Sequence, residues 1–590
     1  MGTDMLPGTF LGRMERLLGD GFPDFLASYK EQRQYGLRVN TLKISPDALQ
    51  EIAGVGLQPV PWCPTGFYYS EADRPGKHPL YHAGLYYIQE PSAMAPVELL
   101  DVLPGDRVLD LCAAPGGKST QIAAKLGGQG VLVVNDVHPD RVKALVKNIE
   151  LSGVRNAVVL NDDPGKLQHA FKDWFDKILI DAPCSGEGMF RKEEDMAKAW
   201  RPDWTDKYAE MQRQLLRQAA AMLKPGGRLV YSTCTFSPEE NERMIAAFLD
   251  EHPEFAAVET GSGTAAGRED WLPGRPDWAE GRRAGETVRT ARLWPHRLRG
   301  EGHFAAALER RGLDIRGGQA PPGGPAACAA AAAGGLAGSG LARTGEGAGA
   351  AMRLEPEPEA GASPAGARGD EAAGRTAAER AAGGGSAATA GGKRGADAAP
   401  AGRGRAERIA AGRGRAAGGQ DRGARPERRG GRAPHSGSAS ADALELFRQF
   451  AAEQLAVPAA GLIAEPLVRG EHLCAAPAGL PELAGIRVIR PGWYLGSARR
   501  GRFEPAHALA LGLKADEALR SARLPLGDER VIRYLRGETI SLAKEELRLA
   551  GERAQAKGYA LVCAGDYPLG WAKWQDGLLK NEYPPGWRWT

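Results

Sequence analysis

The stretch "RVLDLCAAPGGKSTQIAAKL", residues 107–126, decides the fold, because an apolar run leads through two glycines into a helical pattern. Gly116 and Gly117 allow the backbone to approach a ligand closely. The stretch lacks both the GxGxxG pattern of dinucleotide sites and the GxxxxGK[ST] pattern of phosphate-binding loops. It therefore predicts a buried strand, a tight turn and a helix, beside a site that does not cradle phosphates.

Four further apolar runs in the following part of the chain are typical of buried strands. They are "GVLVVND" at 130–136, "AVVLND" at 157–162, "FDKILID" at 175–181 and "GRLVYST" at 227–233. Amphipathic stretches separate them. In one, four apolar residues recur at helical spacing: Val142, Leu145, Val146 and Ile149. Strands that alternate with helices predict right-handed βαβ units and a parallel sheet, which is an α/β fold.

Acidic residues follow the second and third of these strands. Ligands of parallel sheets bind beyond the carboxyl ends of the strands. There Asp136 could accept hydrogen bonds from a ribose diol, and Asp163 could meet an adenine amino group. Taken singly, the glycines fit an ordinary tight turn and the acids a solvated loop. Together on one sheet edge they favour a site for adenosyl-methionine, a nucleoside without phosphates.

Two cysteines lie just past the fourth and fifth strands, Cys184 in "DAPCSG" and Cys234 in "YSTCTF". A thiolate that adds to C6 of a pyrimidine makes C5 nucleophilic, and the methylated adduct must then lose its C5 proton and expel the thiol. Attack also needs N3 of cytosine protonated or hydrogen-bonded, and Asp181 is the candidate for that task. A lone cysteine here would more often be a small core residue. Two thiols beside Asp181 indicate catalysis, although the chemistry leaves open which one attacks.

The length and the cysteine pattern limit the class of protein. A chain of 590 residues predicts more than one domain. Its seven cysteines form no CxxC pair, so we expect neither a metal site nor a disulfide framework, and the thiols should be reduced in a cytoplasmic protein. The N-terminus has no signal-peptide pattern, and no apolar run suggests a membrane span.

Residues 318–440 are rich in Ala, Gly and Arg and poor in large apolar side chains. Residues 393–432 carry 12 Lys and Arg against 4 Asp and Glu, a local charge of +8 in a chain whose total is +3. Such a composition predicts a disordered linker. Its Arg-Gly clusters could contact RNA without sequence preference, or the segment could be an insertion without a function.

The segment after the linker begins with a predicted helix and ends with short strands and turns. The helix is "ADALELFRQFAAEQL" at 441–455, with Leu444, Phe447 and Ala451 on one face. Tryptophans and basic residues then alternate, which suggests a small β-barrel; they are Trp571, Lys573, Trp574, Lys580, Trp587, Arg588 and Trp589. The rings could stack on RNA bases or fill the core of the barrel.

Four blocks in order resemble the signature motifs of the NOL1/NOP2/Sun family of RNA 5-methylcytosine methyltransferases. They are "CAAPGGK", "NDVHPDR", "DAPCSGEGMFRK" and "LKPGGRLVYSTCTFSPEENE". "YYIQEPSA" at 86–93 and "RLWPHRLRGEGHF" at 292–304 are similar to its bacterial RsmF-type branch, which modifies 16S ribosomal RNA. The resemblance covers about residues 6–308 and resumes after the linker.

The resemblance implies a Rossmann-like core that uses S-adenosyl-L-methionine. It makes Cys234 the nucleophile and Cys184 the group that assists product release. It also implies a set of cofactor contacts: Cys112, Ala113, Ala114, Pro115, Gly116, Gly117, Lys118, Asp136, Asp163 and Asp181. Asp181 would then lie between the cofactor and the target base.

The resemblance further implies an arrangement of domains. It consists of an N-terminal α+β RNA-binding module at 1–95, a methyltransferase domain at 96–317, the linker at 318–440 and a PUA-like RNA-binding module at 441–590. The expected partner is 16S rRNA or the 30S ribosomal subunit, bound by a monomer without a membrane partner. Transfer RNA remains an alternative substrate. A non-catalytic ribosome-assembly factor is disfavoured by the intact Cys184, Cys234 and Asp181.

Overall fold

The computed structural model describes residues 5–312, 436–463 and 465–589. Apart from its last five residues, the predicted linker at 318–440 lies outside these described ranges. Within them, no helix combines the length and the apolar character needed to cross a membrane.

The N-terminal segment forms a small antiparallel sheet with helices around it. Its helices are α1 (Gly8–Leu18), α2 (Phe22–Ser28), α3 (Pro46–Ile52) and α4 (Pro79–His82), and its strands are β1 (Tyr35–Val39), β2 (Gln58–Val60), β3 (Cys63–Tyr69) and β4 (Tyr86–Ile88). The strand order is β2-β3-β1-β4. Helix α3 begins where Ser45 Oγ accepts a hydrogen bond from the Ala48 amide and Pro46 occupies the first turn, a favourable start for a helix.

The central segment builds a larger sheet covered by helices. Its strands are β5 (Arg107–Asp110), β6 (Val131–Asn135), β7 (Ala157–Leu160), β8 (Phe175–Asp181), β9 (Leu223–Thr233), β10 (Phe255–Val258), β11 (Leu272–Pro273), β12 (Ala291–Leu293) and β13 (His303–Arg310). Its helices are α5 (Ala95–Leu100), α6 (Gly117–Leu126), α7 (Pro139–Leu151), α8 (Pro164–Ala170), α9 (Glu194–Ala199), α10 (Asp203–Met222) and α11 (Glu242–Glu251). Strands β9, β8, β5, β6 and β7 are neighbours in that order and run parallel, which confirms the predicted α/β core. Strand β13 continues the sheet antiparallel to β9, a pairing that the sequence pattern did not predict.

The turn between β5 and α6 needs glycine for a steric reason. Gly116 has a φ of +111° and immediately precedes α6. A Cβ atom at this position would lie 3.2 Å from Leu145 Cδ1 and 3.3 Å from Asn148 Cβ on α7. The glycine therefore lets the turn pack closely against α7. The predicted apolar face of α7 is buried except at Val146, which is half-buried.

The C-terminal segment contains two further sheets. Its helices are α12 (Ser436–Gln454), α13 (Ala459–Leu462), α14 (His507–Gly512) and α15 (Glu529–Leu535). Its strands are β14 (Glu465–Arg469), β15 (His472–Ala476), β16 (Val488–Arg490), β17 (Trp493–Arg499), β18 (Arg502–Pro505), β19 (Arg520–Leu524), β20 (Ile540–Ser541), β21 (Leu547–Leu549), β22 (Gly558–Ala564), β23 (Tyr567–Gln575) and β24 (Leu578–Asn581). The sheet orders are β14-β15-β17-β18 and β20-β24-β23-β22-β19-β21.

One strand of the C-terminal segment, β16, pairs antiparallel with β7 and extends the central sheet. Polar contacts reinforce this junction. Arg490 Nε lies 2.9 Å from Glu150 Oε1, and Arg155 Nε donates to the Gly512 carbonyl at 2.8 Å. The C-terminal segment is thus fixed to the central segment by backbone pairing as well as by side chains.

The C-terminal tryptophans serve mainly as packing residues. Trp571 and Trp574 are buried, and their indole N–H groups donate to the carbonyls of Ala506 at 3.0 Å and Leu542 at 3.3 Å. Trp589 stacks on His82 of the N-terminal segment, with ring centroids 5.3 Å apart. Of the two interpretations left open by the sequence, core packing is therefore correct for Trp571 and Trp574.

Gly153 offers a test of the junction between core and C-terminal segment. It has a φ of +71°, and a Cβ atom there would lie 2.6 Å from the Leu511 carbonyl oxygen. Gly127 is the control: its φ is +59°, and a Cβ atom there would have no atom within 4 Å. Gly127→Ala therefore introduces the same backbone strain without the steric clash. We expect Gly153→Ala to lower the free energy of unfolding by about 1–3 kcal/mol more than Gly127→Ala, measured by urea denaturation. Equal losses would show that the junction tolerates the extra methyl group.

Candidate active site

Three adjacent strands end at the same edge of the central sheet and bring the predicted residues together. Asp110 ends β5, Asp181 ends β8 and Thr233 ends β9. Asp181 is in register with Ser232, and Ser232 Oγ donates a hydrogen bond of 2.8 Å to Asp181 Oδ1. The prediction that polar groups would converge beyond these strand ends therefore has a structural basis in the register of β8 and β9.

The two strand-end thiols lie side by side. Cys184 Sγ and Cys234 Sγ are 3.4 Å apart, within hydrogen-bonding distance for sulfur, and both residues are half-buried. The hydrogen bond with Cys234 and burial raise the pKa of the Cys184 thiol well above its ordinary value. Cys184 is therefore a neutral thiol at pH 7 that can donate its proton in a hydrogen bond to the sulfur of Cys234.

Hydrogen bonds between the turns hold the two cysteines in place. Ser185 and Thr235, which follow the two cysteines in sequence, join their hydroxyl groups at 2.7 Å. The Gly188 amide donates to the Cys234 carbonyl at 2.8 Å. Glu240 accepts a hydrogen bond of 3.0 Å from the Ser185 amide and another from the Ser185 hydroxyl. These contacts fix the separation of the thiols before any substrate arrives.

Glu240 gives the protein a specific dependence of stability on pH. It is fully buried, and burial raises its pKa from 4.5 to about 7 although hydrogen bonds from Ser185 and Gln212 oppose the rise. The folded protein thus holds a proton that the unfolded chain releases. The resulting stabilisation is complete below about pH 4.5 and is lost as the pH rises through about 7.

Between pH 5 and pH 8 we expect the thermal unfolding midpoint of Glu240→Gln to rise relative to that of the wild type, because glutamine stays neutral throughout. His82 and His507, whose pKa values burial lowers to about 4 and about 3, contribute a change of the opposite sign that both proteins share. Asp110, whose pKa burial also raises to about 7, leaves part of the slope in the variant. Glu194→Gln, at an exposed position on α9, is the control and should keep the wild-type slope. An unchanged slope in Glu240→Gln would show that Glu240 is ionised in the folded protein.

Asp181 is held as a carboxylate. Its Oδ2 lies 2.7 Å from Lys118 Nζ and its Oδ1 lies 3.6 Å from His303 Nε2. Burial alone would raise the pKa of Asp181, but the Lys118 ammonium and then His303 lower it below the ordinary value. At neutral pH Asp181 therefore accepts hydrogen bonds, and it can stabilise a positive charge or an N–H group placed beside it.

The predicted cofactor loop wraps around Asp136. Asp136 Oδ2 accepts a hydrogen bond of 3.2 Å from the Ala114 amide, and Oδ1 accepts one of 2.9 Å from the His138 amide. A Cβ atom on Gly117 would come within 3.1 Å of Tyr87 Cε1, so the glycine lets the Tyr87 ring pack directly against the loop. The loop is thus shaped by backbone contacts to a buried acid at the end of β6.

Asp163 and Cys112 occupy different environments from the other predicted cofactor residues. Asp163 is exposed and caps α8, where its Oδ1 accepts a hydrogen bond of 2.7 Å from the Gly165 amide. Burial, followed by the charge of Asp110, raises the pKa of the Cys112 thiol. Cys112 is accordingly a neutral packing group in this loop.

Models of known families match four segments of the chain. They are 16S rRNA methyltransferase RsmB/F at 97–309, the N-terminal domain of 16S rRNA methyltransferase RsmF at 6–91, the RsmF rRNA methyltransferase first C-terminal domain at 449–513 and the methyltransferase RsmF PUA domain at 521–589. The chain belongs to the RsmB/F methyltransferase family. This confirms the resemblance, the Rossmann-like core and the PUA-like C-terminal module, and S-adenosyl-L-methionine is the cofactor of these methyltransferases.

Curated relatives carry the name ribosomal RNA small subunit methyltransferase F. The protein from Vibrio vulnificus (strain YJ016) is 46% identical over 251 residues, which are 40% of this chain and 53% of the relative. The protein from Erwinia tasmaniensis is 38% identical over 316 residues, 52% of this chain and 63% of the relative. The chain therefore spans between about half and two thirds of the length of these relatives. A methyltransferase homologue of known structure from Pyrococcus horikoshii is 30% identical, with a TM-score of 0.45, over 53% of this chain and 100% of that one.

Several residues of this RsmB/F-family site were not singled out from the sequence. His303 and Glu240 lie inside motifs that were recognised, but a motif does not reveal which side chain faces a neighbouring strand. Asp110 carried a usable signal, because an acid within the apolar run "VLDL" must be buried if the run is a strand. Its Oδ2 accepts a hydrogen bond of 2.6 Å from Ser119 Oγ at the start of α6.

Proposed function

We propose that this protein uses S-adenosyl-L-methionine to methylate C5 of cytosine in 16S ribosomal RNA, through a covalent bond between Cys234 Sγ and C6 of the base. The observation that carries the proposal is the pair of thiols 3.4 Å apart beside the Lys118–Asp181 ion pair. Carbon 5 of cytosine is a weak nucleophile, and a thiolate at C6 is the group that activates it. Relatives named for the small ribosomal subunit support the choice of RNA.

The residues assigned to the cofactor have the chemistry that it requires. Lys118 can donate hydrogen bonds to a carboxylate, whereas Asp136 and Asp181 can accept them from hydroxyl and amino groups. When bound, S-adenosyl-L-methionine supplies an electrophilic methyl group. We assign its contacts to Cys112, Ala113, Ala114, Pro115, Gly116, Gly117, Lys118, Asp136, Asp163 and Asp181.

Cys234 and Cys184 have complementary roles in this proposal. The Cys184 S–H group donates a hydrogen bond to the sulfur of Cys234 and thereby favours the thiolate that attacks C6. The same hydrogen bond stabilises the Cys234 thiolate when it leaves the methylated base. Because Cys184 retains its own proton, it assists release without competing as a nucleophile.

Asp181 orients and polarises the base. As a carboxylate it accepts a hydrogen bond from the N4 amino group or from a protonated N3, and either contact favours addition of the thiolate at C6. Lys118 and Ser232 hold both of its oxygens in place. The segments at 1–95 and 441–590 bind the RNA in this proposal, and the protein acts as a cytoplasmic monomer.

Bisulfite sequencing of ribosomal and transfer RNA from a deletion strain tests the proposal. At least one cytosine of 16S rRNA should lose its protection from deamination, and a plasmid encoding the wild type, but not Cys234→Ala, should restore it. Restoration of a transfer RNA position alone would replace 16S rRNA by transfer RNA as the substrate. No lost position in either RNA would overturn cytosine-C5 methylation.

A further inference from the structure

Arg299 is an exposed arginine that its neighbours hold in one orientation. Its Nε donates to Gln34 Oε1 at 3.0 Å and its Nη1 donates to Gln58 Oε1 at 2.8 Å. Its guanidinium carbon lies 4.1 Å from the centroid of the Tyr68 ring. Two neutral amides and a ring fix the guanidinium plane but do not neutralise its charge.

Arg299 lies between two neighbouring clefts that the N-terminal and central segments form together. One has a volume of about 310 Å³ and is also lined by Trp62, Arg191, His296 and Arg297. The other has a volume of about 280 Å³. Gln34, Tyr68 and Arg299 line both, so the two form one groove that we call the Arg299 groove. Each part has the size of a small ligand pocket of about 300 Å³.

The Arg299 groove shares structural elements with the thiol site. The chain that lines the groove at 295–300 continues to His303, whose imidazole lies 3.6 Å from Asp181. Four residues of chain reach at most about 14 Å. Arg191, which belongs to the loop after Cys184, donates to the Gly300 carbonyl at 2.9 Å. A strand of RNA with one base at the thiols can therefore place a neighbouring nucleotide in the groove.

The charges of the larger cleft favour a base over a run of phosphates. Arg297 and Arg299 form no ion pair within the described part of the chain, but the carboxylates of Glu31 and Asp270 line the same cleft. Those acids offset much of the attraction that Arg191, Arg297 and Arg299 would exert on a phosphate. A base can stack on a guanidinium plane and donate hydrogen bonds from its amino or imino groups to carboxylates.

We propose that the Arg299 groove binds the base of a nucleotide that flanks the methylated cytosine in single-stranded RNA, with the base stacked on the outer face of Arg299. This inference rests on the proposed function for the identity of the RNA. It adds a recognition site for sequence or shape next to the reacting base, formed by the "PHRLRG" segment at 295–300 and the N-terminal segment.

Steady-state methylation of 16S rRNA by Arg299→Ala and Arg299→Lys tests the groove. We expect KM to rise about tenfold in Arg299→Ala with kcat nearly unchanged, because the lost stacking contact is the same in the ground and transition states. Arg299→Lys keeps the charge but lacks the plane, so its KM should rise nearly as much. Arg217→Ala, at an exposed arginine on α10, is the control and should match the wild type.

A binding measurement separates the groove from the catalytic proposal. We would titrate wild type and Arg299→Ala with a short fluorescein-labelled single-stranded RNA around the modified cytosine, and with copies that carry one abasic nucleotide at each flanking position. Removal of the base at one flanking position should weaken binding of the RNA to the wild type. The same abasic RNA should bind Arg299→Ala as well as the intact RNA does. Base stacking on Arg299 would be overturned if Arg299→Ala bound the intact RNA as tightly as the wild type, or if Arg299→Lys had the wild-type affinity. If the wild type did not methylate the RNA but the effect of the abasic position still depended on Arg299, the catalytic proposal would be overturned and the groove would be supported.

Discussion

Cys234→Ala is expected to reduce methyl transfer by about a thousandfold or more while the affinity for S-adenosyl-L-methionine remains unchanged. The thiolate attacks the base, so its loss removes the activation of C5 but none of the groups assigned to the cofactor. Transfer of a tritiated methyl group to 16S rRNA and calorimetric titration with the cofactor measure the two quantities.

Cys474→Ala is the matched control for Cys234→Ala. Cys474 is a buried cysteine in β15, so its substitution removes a thiol without touching the sheet edge where the site lies. This control should keep wild-type activity. Residual transfer by Cys234→Ala within tenfold of the wild type would contradict its role as the nucleophile.

Cys184→Ala is expected to trap most of the active enzyme as a covalent adduct with RNA. Attack and methylation proceed through Cys234, but the leaving sulfur loses the hydrogen bond from the neighbour that lies 3.4 Å away. A slowly migrating band on a denaturing gel, removed by RNase, reports the adduct.

The double variant Cys184→Ala/Cys234→Ala controls for non-covalent retention, since it has neither thiol and should give no such band. If Cys234→Ala gave the band and Cys184→Ala did not, Cys184 would be the nucleophile and Cys234 the group that assists release. The gel therefore decides an assignment that the chemistry of cytosine methylation leaves open.

The parallel core could be predicted because its signals are local. Each of the five strands is a short apolar run followed by a helical pattern, and a parallel sheet then places Cys184 and Cys234 at one edge. Strand β16 gave no such signal, since it has only three residues and pairs Val488 with Leu160, far away in the sequence. Composition alone left RNA stacking and core packing open for the tryptophans, and Trp571 is enclosed by the C-terminal segment.

The details of the candidate site depended on contacts between strands. The sequence placed Asp181 beside the thiols, but its partner Lys118 belongs to a different βα unit. The neutral state of Cys184 depends on a sulfur fifty positions away in the chain. Such properties follow from distances that no run of neighbouring residues encodes.

The pairing of β16 with β7 has a consequence for the synthesis of the protein. Until β16 is made, β7 is the outer strand of the parallel sheet, and its unpaired backbone N–H and C=O groups can pair with another chain. The ribosome must add 330 residues between Leu160 and Arg490 before this edge can be covered, which takes roughly 15–65 s at typical rates of translation. Nascent chains that have emerged past the methyltransferase domain should therefore be the species most prone to aggregation, and slower translation of the intervening segment should lower the soluble yield.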